Sequence, residues 1–425
     1  MTSYWSILLF HMYRILPKIN HKQVDFWGNN MRLTILGAGH IGSTIARLLQ
    51  DSGDYDVLLV DRDAESLTSA LAGGIETRVV NLNNPESLHT ALTSCEAVIN
   101  ALPYQMAIPV AQAAKKAQVH YFDLTEDVQA TKAIKQLAKD ASTAFMPQCG
   151  LAPGFIGIAA YALSQRFDQV LDVKMRVGAL PEFPSNALKY NLTWSVDGLI
   201  NEYCHPCEAI VDGQLKEIQP LEGLEHFSID GVEYEAFNTS GGLGTLCETL
   251  AGQARNLDYK SVRYPGHCEL MRFLLEDLAL SRQQEQLKGI LRAAIPATLQ
   301  DLVLIFVTVS GLRKGKLVQE TFSRKIYASE LHGQPASAIQ IATAAGICTA
   351  LDLFREKRLP QAGFISQENI SLHDFLENRF GQAYNQGSSS CGETNTGKTQ
   401  KHAGNKKSND SYTQAPLEAD LAPTP

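Results

Sequence analysis

The residues able to do chemistry in this chain fall into a few clusters. The first is Gly37-Ala38-Gly39-His40-Ile41-Gly42, which follows the apolar run 33–36 and heads the helix-forming stretch 41–50. Asp61 closes the next apolar run, 57–60. Strand, glycine turn, helix, strand and acid in that order describe a dinucleotide site. Gly37 permits the turn, Gly39 lets backbone approach a pyrophosphate, and Gly42 lets the helix lie close to the strand. The helix N-terminus offers free N–H groups to the phosphates, with His40 and Ile41 in its first turn. Asp61 can accept hydrogen bonds from the ribose hydroxyls of NAD and would repel a 2′-phosphate, whereas the adjoining Arg62 could accommodate one. The reading is NAD, with NADP as the alternative. A competing role for Asp61 is to cap its own loop.

The second cluster is Arg263-Tyr264-Pro265-Gly266-His267. An arginine pairs bidentately with a carboxylate, and Tyr264 stands beside it. His267 titrates near neutrality and could act as acid or base on an amine; its structural alternative is a satisfied core histidine. Ser240-Gly241-Gly242-Leu243-Gly244 could hold a substrate carboxylate through backbone N–H groups, or simply turn into a helix over 245–254. Trp194 could wall a nicotinamide or an aliphatic chain, or belong to the core. Cys204-His205-Pro206-Cys207 has metal-like spacing, but no second such pair follows, so it reads as a loop with two ordinary thiols and no metal is assigned.

These clusters need elements to position them. Apolar runs at 77–80, 97–100, 120–123 and 144–147 alternate with helix-like stretches at 64–71, 85–92, 105–117 and 128–139. That alternation predicts an α/β fold with an N-terminal Rossmann doubly wound parallel sheet. Ligands bind at the carboxyl ends of such strands, so the strand exits are site candidates. They supply Ala101, Leu102 and Pro103 toward the cofactor, Tyr104 toward a substrate, and Asp123 as a catalytic group or a helix N-cap. Glu126-Asp127 makes one exit strongly acidic, which suits a cationic substrate. Farther on, strand-like runs at 170–177, 208–211, 227–229 and 302–310, with Asp212-Gly213 and Asp230-Gly231 turns, predict a second α+β domain on a mixed or antiparallel sheet. An apolar helix follows at 336–355.

The domain expectation is therefore an extension at 1–30, a nucleotide domain at 31–153, a substrate and dimerisation domain at 154–336, helices returning to the nucleotide domain at 337–383, and a disordered tail at 384–425. The tail is rich in Gly, Ser, Asn, Thr and Lys and too poor in large apolar residues to offset its ordering entropy. The apolar stretch 4–16 is too short to span a bilayer and makes a poor signal peptide. In 425 residues with 44% hydrophobic and 19% charged content there is enough apolar mass for two cored domains. A net charge of −8 without any basic patch argues against nucleic acid as a partner. Eight cysteines in this length are no disulfide framework, and the expected location is the reducing cytoplasm.

The glycine turn, Ala101-Leu102-Pro103, the segment from His120 through Asp123 to Thr125, and Cys149-Gly-Leu-Ala-Pro-Gly154 together resemble the saccharopine dehydrogenase family. Downstream, Lys189 through Trp194-Ser195 to Gly198, Glu235 through Ser240 and Gly242 to Thr245, and Asp258 through Arg263-Tyr264-Pro265 to His267 are similar to its substrate-domain motifs. The resemblance runs from Met31 to Phe380 and leans to the branch of lysine 6-dehydrogenase and saccharopine reductases. It implies hydride transfer between a nicotinamide and a carbon bonded to nitrogen in a lysine-related amino acid, by a homodimer. Asp123 and His267 are then the catalytic candidates, and Tyr104, Trp194, Ser240, Gly241, Arg263 and Tyr264 the substrate-binding ones. Two other readings stand beside it: reduction of an imine as in carboxynorspermidine dehydrogenase, and a nucleotide-binding regulatory protein without catalysis.

Overall fold

The computed structural model describes residues 30–331 and 333–385. The expected extension before Asn30 and the chain beyond Asn385 lie outside the described residues. One boundary needs correction: Gly381–Asn385 forms a 3-10 turn, and Tyr384 is fully buried with its hydroxyl donating to the Ala342 carbonyl at 2.7 Å. Tyr384 is thus a core residue and not the start of a tail.

The first sheet contains β1 (Met31–Leu36), β2 (Tyr55–Asp61), β3 (Glu76–Val79), β4 (Ala97–Asn100), β5 (His120–Asp123) and β6 (Ala144–Met146). Its order is β3-β2-β1-β4-β5-β6, every pair parallel, so the strand order reverses between β1 and β4. β4 is buried at every position, as a strand covered on both faces must be. The helix His40–Ser52 follows β1, buries Ile45, Ala46 and Leu49, and ends on Gly53 at φ 78°. Pro85 opens the helix Pro85–Leu92, where the Asn84 side chain accepts from the Glu86 and Ser87 N–H groups. The helix Val128–Ala138 is capped by Asp127, which accepts from the Ala130 N–H; that role falls to Asp127 and not to Asp123.

The second sheet is mixed. It holds β7 (Gln169–Pro181), β8 (Cys207–Val211), β9 (Gln214–Ile218), β10 (Glu225–Ile229), β11 (Val232–Asn238), β12 (Ala254–Arg263), β13 (Asp301–Arg313) and β14 (Lys316–Tyr327). The order β10-β11-β12-β7-β13-β14 joins β12 to β7 in parallel and the other neighbours antiparallel, with β8 and β9 branching from β12. The helix expected over 245–254 is only Leu246–Thr249; Gly252 at φ 73° turns the chain, and Ala254 already begins β12.

A short β15 (Ser329–Leu331) and β16 (Gln334–Ala336) lead into the helix Ala338–Arg355, capped by the Ser337–Gln340 box. It is the one helix among the described residues long and apolar enough to cross a membrane, yet 83% of it is buried inside the fold. Phe354 packs edge-on to Phe122 and His120 of β5. The chain then adds β17 (Gly363–Phe364) beside β6, making the first sheet seven-stranded. Both sheets belong to one compact unit, and the carboxyl ends of β1, β4 and β5 face the second domain across a cleft.

Candidate active site

The glycine turn is built from backbone contacts. Gly37 sits at φ 103°, its N–H donates to the Val60 carbonyl at 2.8 Å, and a Cβ there would lie 2.9 Å from the Ala101 oxygen. A Cβ at Gly42 would lie 1.9 Å from the Gly37 oxygen. Gly39 is different: a Cβ there would meet nothing within 4 Å, because it faces the cleft. The cradle is sealed where helix meets strand and open where a pyrophosphate would lie, so the residues fit a dinucleotide. Asp61 accepts from the Ala38 N–H at 2.7 Å and the Asp63 N–H at 3.0 Å, so its carboxylate braces the turn from the end of β2. Arg62 beside it is exposed, and both stand outside the cavity lining.

The cleft is a cavity of about 720 Å³. Gly39, His40, Ile41 and Gly42 form one end, Ala101, Leu102, Pro103 and Tyr104 the β4 wall, and Leu124, Thr125 and Glu126 the β5 wall. The second domain contributes Trp194, Glu202, Tyr259 and Arg263. Trp194 packs against Gly198, where a Cβ would be 2.4 Å from the indole; that same Cβ would be 3.3 Å from Glu126 Oε1. Glycine at 198 therefore lets the ring and the carboxylate share one surface.

Arg263 is 3% exposed and ends β12. Its Nε–H donates to the Tyr203 hydroxyl at 3.0 Å and its Nη1 to the Val262 carbonyl at 2.8 Å, with the Tyr190 ring 5.3 Å away. Among the described residues no carboxylate forms an ion pair with it. The Tyr203 hydroxyl lies 3.2 Å from His267 Nε2, and His267 Nδ1 is 2.9 Å from the Leu188 carbonyl. A carbonyl can only accept, so Nδ1 carries the proton, Nε2 accepts from Tyr203, and every donor in the relay has one direction. Glu202, 6% exposed, and half-buried Glu126 line the same cavity; neither forms an ion pair among the described residues, and the Glu126 carboxylate accepts from its own N–H. Burial pushes Glu126 up to about 7, helped by Asp127 and Asp123. Burial likewise pushes Glu202 up to about 8, with Arg263 opposing and Glu126 adding to the rise.

Residues 33–146 match the family model described as saccharopine dehydrogenase NADP binding domain, and residues 150–380 match saccharopine dehydrogenase C-terminal domain. The chain belongs to the saccharopine dehydrogenase family. It is 23% identical over 274 residues to the saccharopine dehydrogenase [NADP(+), L-glutamate-forming] of Pyricularia oryzae, covering 62% of this chain and 60% of that protein. It is 20% identical over 353 residues to the mitochondrial alpha-aminoadipic semialdehyde synthase of Bos taurus, covering 75% of this chain and 36% of that protein. Among the first curated relatives it matches, the chain spans between 27% and 60% of their length. The fold is that of the apo saccharopine dehydrogenase (L-Glu forming) of Saccharomyces cerevisiae, at TM-score 0.69, 15% identity, and coverage of 83% of this chain and 98% of that one. The nucleotide domain of this family takes a nicotinamide dinucleotide.

Within that frame the structure brings together His40, Ile41, Gly39, Gly42, Ala101, Leu102, Pro103, Tyr104, Trp194 and Arg263 on one cavity. Other candidates sit elsewhere. Asp123 does not line the cavity: one oxygen accepts from Tyr121 Oη at 2.6 Å, the other from the Thr125 and Gln148 N–H groups at 3.0 and 2.9 Å. It ties the β5 exit to the β6 exit as a positioning residue, and burial lifts it to about 6. His267 is 1% exposed, away from the lining, and held neutral: burial, then Arg263, pushes it down to about 3. It orients Tyr203 and through it Arg263.

Ser240 donates to the Pro206 carbonyl at 2.9 Å, and Gly241 packs against the Glu126 backbone, where a Cβ would lie 2.4 Å from the Glu126 oxygen. Gly241 thus supports the β5 exit loop, and both residues lie outside the cavity lining. The Tyr264 hydroxyl donates to the Pro181 carbonyl at 2.9 Å, and its ring stacks on Tyr234. Cys204 ends the helix Val196–Cys204 and Cys207 begins β8, both as free thiols. Sequence reading missed Glu202 and Tyr203. The available signal was a carboxylate on the face of that helix otherwise buried through Leu199, Ile200 and Tyr203.

Proposed function

We propose that this chain is an NAD(P)-dependent oxidoreductase that transfers hydride at a C–N bond of an amino acid. The observation that carries the reading is Arg263: a buried guanidinium, in no ion pair among the described residues, presented to the same cavity as the glycine turn and two raised carboxylates. A buried cation held ready by a directed relay recognises a carboxylate on the ligand. The nicotinamide, when bound, supplies the hydride acceptor. Glu126 and Glu202 titrate near the pH of an assay, so either can take the proton that a substrate ammonium must lose before hydride leaves its carbon. Trp194, Tyr104 and the apolar lining of Leu102, Leu124 and Ile339 hold the aliphatic part and limit water. Run in reverse, the same groups would return a proton as an imine is reduced.

The test is formation of reduced dinucleotide by the purified full chain with NAD or NADP and a panel of amino acids at mildly alkaline pH. Turnover with at least one amine-bearing acid is expected, and Arg263→Ala should lower kcat/KM by about 100-fold, the scale of a lost buried charge contact of about 3 kcal/mol. Turnover that is indifferent to Arg263→Ala would refute the assignment.

A further inference from the structure

One wall of the cavity carries no charge. Val177 and Ala179 of β7 form it with Leu192, Ala297, Leu299 and Ile339. Arg263 stands at its inner edge. Ser261, two residues before Arg263, pairs with Val177, two residues before Ala179. A Cβ on Gly178 would lie 3.0 Å from the Val262 oxygen, so the two strands are still adjacent at that point. Arg263 and Ala179 are thus neighbours across adjoining strands, about 5 Å apart in the sheet, and both line the cavity. The Leu192 N–H donates to the Pro296 carbonyl at 2.9 Å and its carbonyl accepts from the Thr298 N–H at 3.3 Å, which fixes Ala297 beside it. The polar neighbours of this wall are already bonded within the protein. Ser337 Oγ accepts from the Gln340 N–H at 3.2 Å, and Gln340 Oε1 from the Ser337 N–H at 2.7 Å. Asp301 takes the Ala338 and Ile339 N–H groups, and Thr298 Oγ1 takes the Gln300 N–H at 3.0 Å. Besides Arg263, the one described lining residue able to carry positive charge is His40, in the glycine turn.

We infer that this wall is a subsite for an uncharged hydrocarbon group. The substrate is then an amino acid with one carboxylate, held by Arg263, and an apolar side chain laid along Ala179, Leu192 and Ile339. This rests on the hydride-transfer reading above and narrows it to a substrate class. Hydrocarbon placed here leaves no polar group unmet and removes apolar surface from water. A glutamate half, or any second carboxylate, would meet no cation on the wall, and a buried charge without a partner is strongly unfavourable. A single guanidinium therefore limits the ligand to one buried carboxylate. In this the chain parts from the relatives whose names refer to saccharopine and L-glutamate.

Binding and turnover separate the two claims. Calorimetry on the full chain with saturating reduced dinucleotide would follow alanine, norvaline and norleucine, then glutamate, lysine and saccharopine, at mildly alkaline pH. Affinity is expected to rise about fourfold with each added methylene, the scale of one buried CH₂. Norleucine should bind at least about tenfold tighter than glutamate, lysine or saccharopine. Ile339→Ala should cost norleucine about tenfold and alanine less than about twofold. Leu299→Arg, which sets a cation on the wall, should narrow the norleucine-to-glutamate ratio by at least about tenfold. Both side chains are partly exposed, so neither change disturbs the core. A flat series from alanine to norleucine, tighter binding of glutamate, lysine or saccharopine, no binding of any of the six, or wild-type ratios in both variants overturns the inference. If norleucine is preferred but no amine is oxidised, the subsite stands and the hydride-transfer reading falls. If saccharopine or lysine is both preferred and oxidised, hydride transfer at a C–N bond stands and only the apolar subsite falls.

Discussion

Gly39 and Gly42 lie three residues apart in the same turn, and alanine at each should fail in opposite ways. At Gly42 the new methyl would stand 1.9 Å from the Gly37 oxygen and 3.0 Å from its carbonyl carbon, both backbone atoms. Gly37 cannot retreat, because its N–H is bonded to Val60 and its own Cβ side faces Ala101. Relief requires lifting the helix His40–Ser52 off β1 by an ångström or so, and overpacking of that kind costs about 1–3 kcal/mol. Gly39 has φ −68° and ψ −179°, extended backbone open to any residue, with nothing within 4 Å of its Cβ. Alanine there should be neutral or stabilise by about 0.4–1 kcal/mol through the unfolded chain. Its methyl would occupy the surface on which phosphates lie, so dinucleotide affinity should fall at least about tenfold. Urea unfolding reads the first quantity, and titration followed by tryptophan fluorescence the second. Equal stability of the two variants, or wild-type affinity in Gly39→Ala, would refute this account of the cradle.

Two further outcomes follow from the relay and the carboxylates. Tyr203→Phe deletes both the acceptor for Arg263 Nε–H and the donor to His267 Nε2, leaving buried groups unpaired at a cost of about 1–3 kcal/mol; steady-state kinetics should show KM for the carboxylate-bearing substrate rising more than kcat falls. For Glu126 and Glu202 the folded state holds protons that the unfolded chain releases near 4.5, so the empty protein should lose stability as pH rises from about 5 to about 8; thermal melts should show that decline, Glu202→Gln should flatten it, and a rise in melting temperature across that window would contradict the carboxylates' placement.

The nucleotide half was legible because its signals are local. The turn needs Gly37, Gly39 and Gly42 within six residues, and Pro85 after Asn84 announces its helix without any help from the rest of the chain. The second half was read only in fragments. β12 and β11 alternate poorly because both faces are covered: Ser261, Lys260 and Arg263 are as buried as Val262, so polar residues inside the strand concealed it. The site was legible where backbone geometry dictates residue type and obscure where tertiary contact does. Nothing near His267 in sequence reveals that Leu188 and Tyr203 fix its tautomer, or that Asp123 is already saturated by Tyr121, Thr125 and Gln148. Residue type nominated the histidine and the aspartate as catalytic, and enclosure gave them supporting work. Glu202 shows the converse, since an ordinary helical glutamate gains its raised carboxyl only through burial in the cavity.

That division explains how one cavity can hold ionisable groups with opposed duties. Arg263 must stay charged and fixed, and its surroundings achieve this with neutral partners: a phenol, a carbonyl and a neutral imidazole. A carboxylate partner would hold it as firmly but would compete with the ligand carboxylate proposed for it. Glu126 and Glu202 form no ion pair among the described residues, which is why burial can lift them toward neutrality while Arg263 keeps its charge.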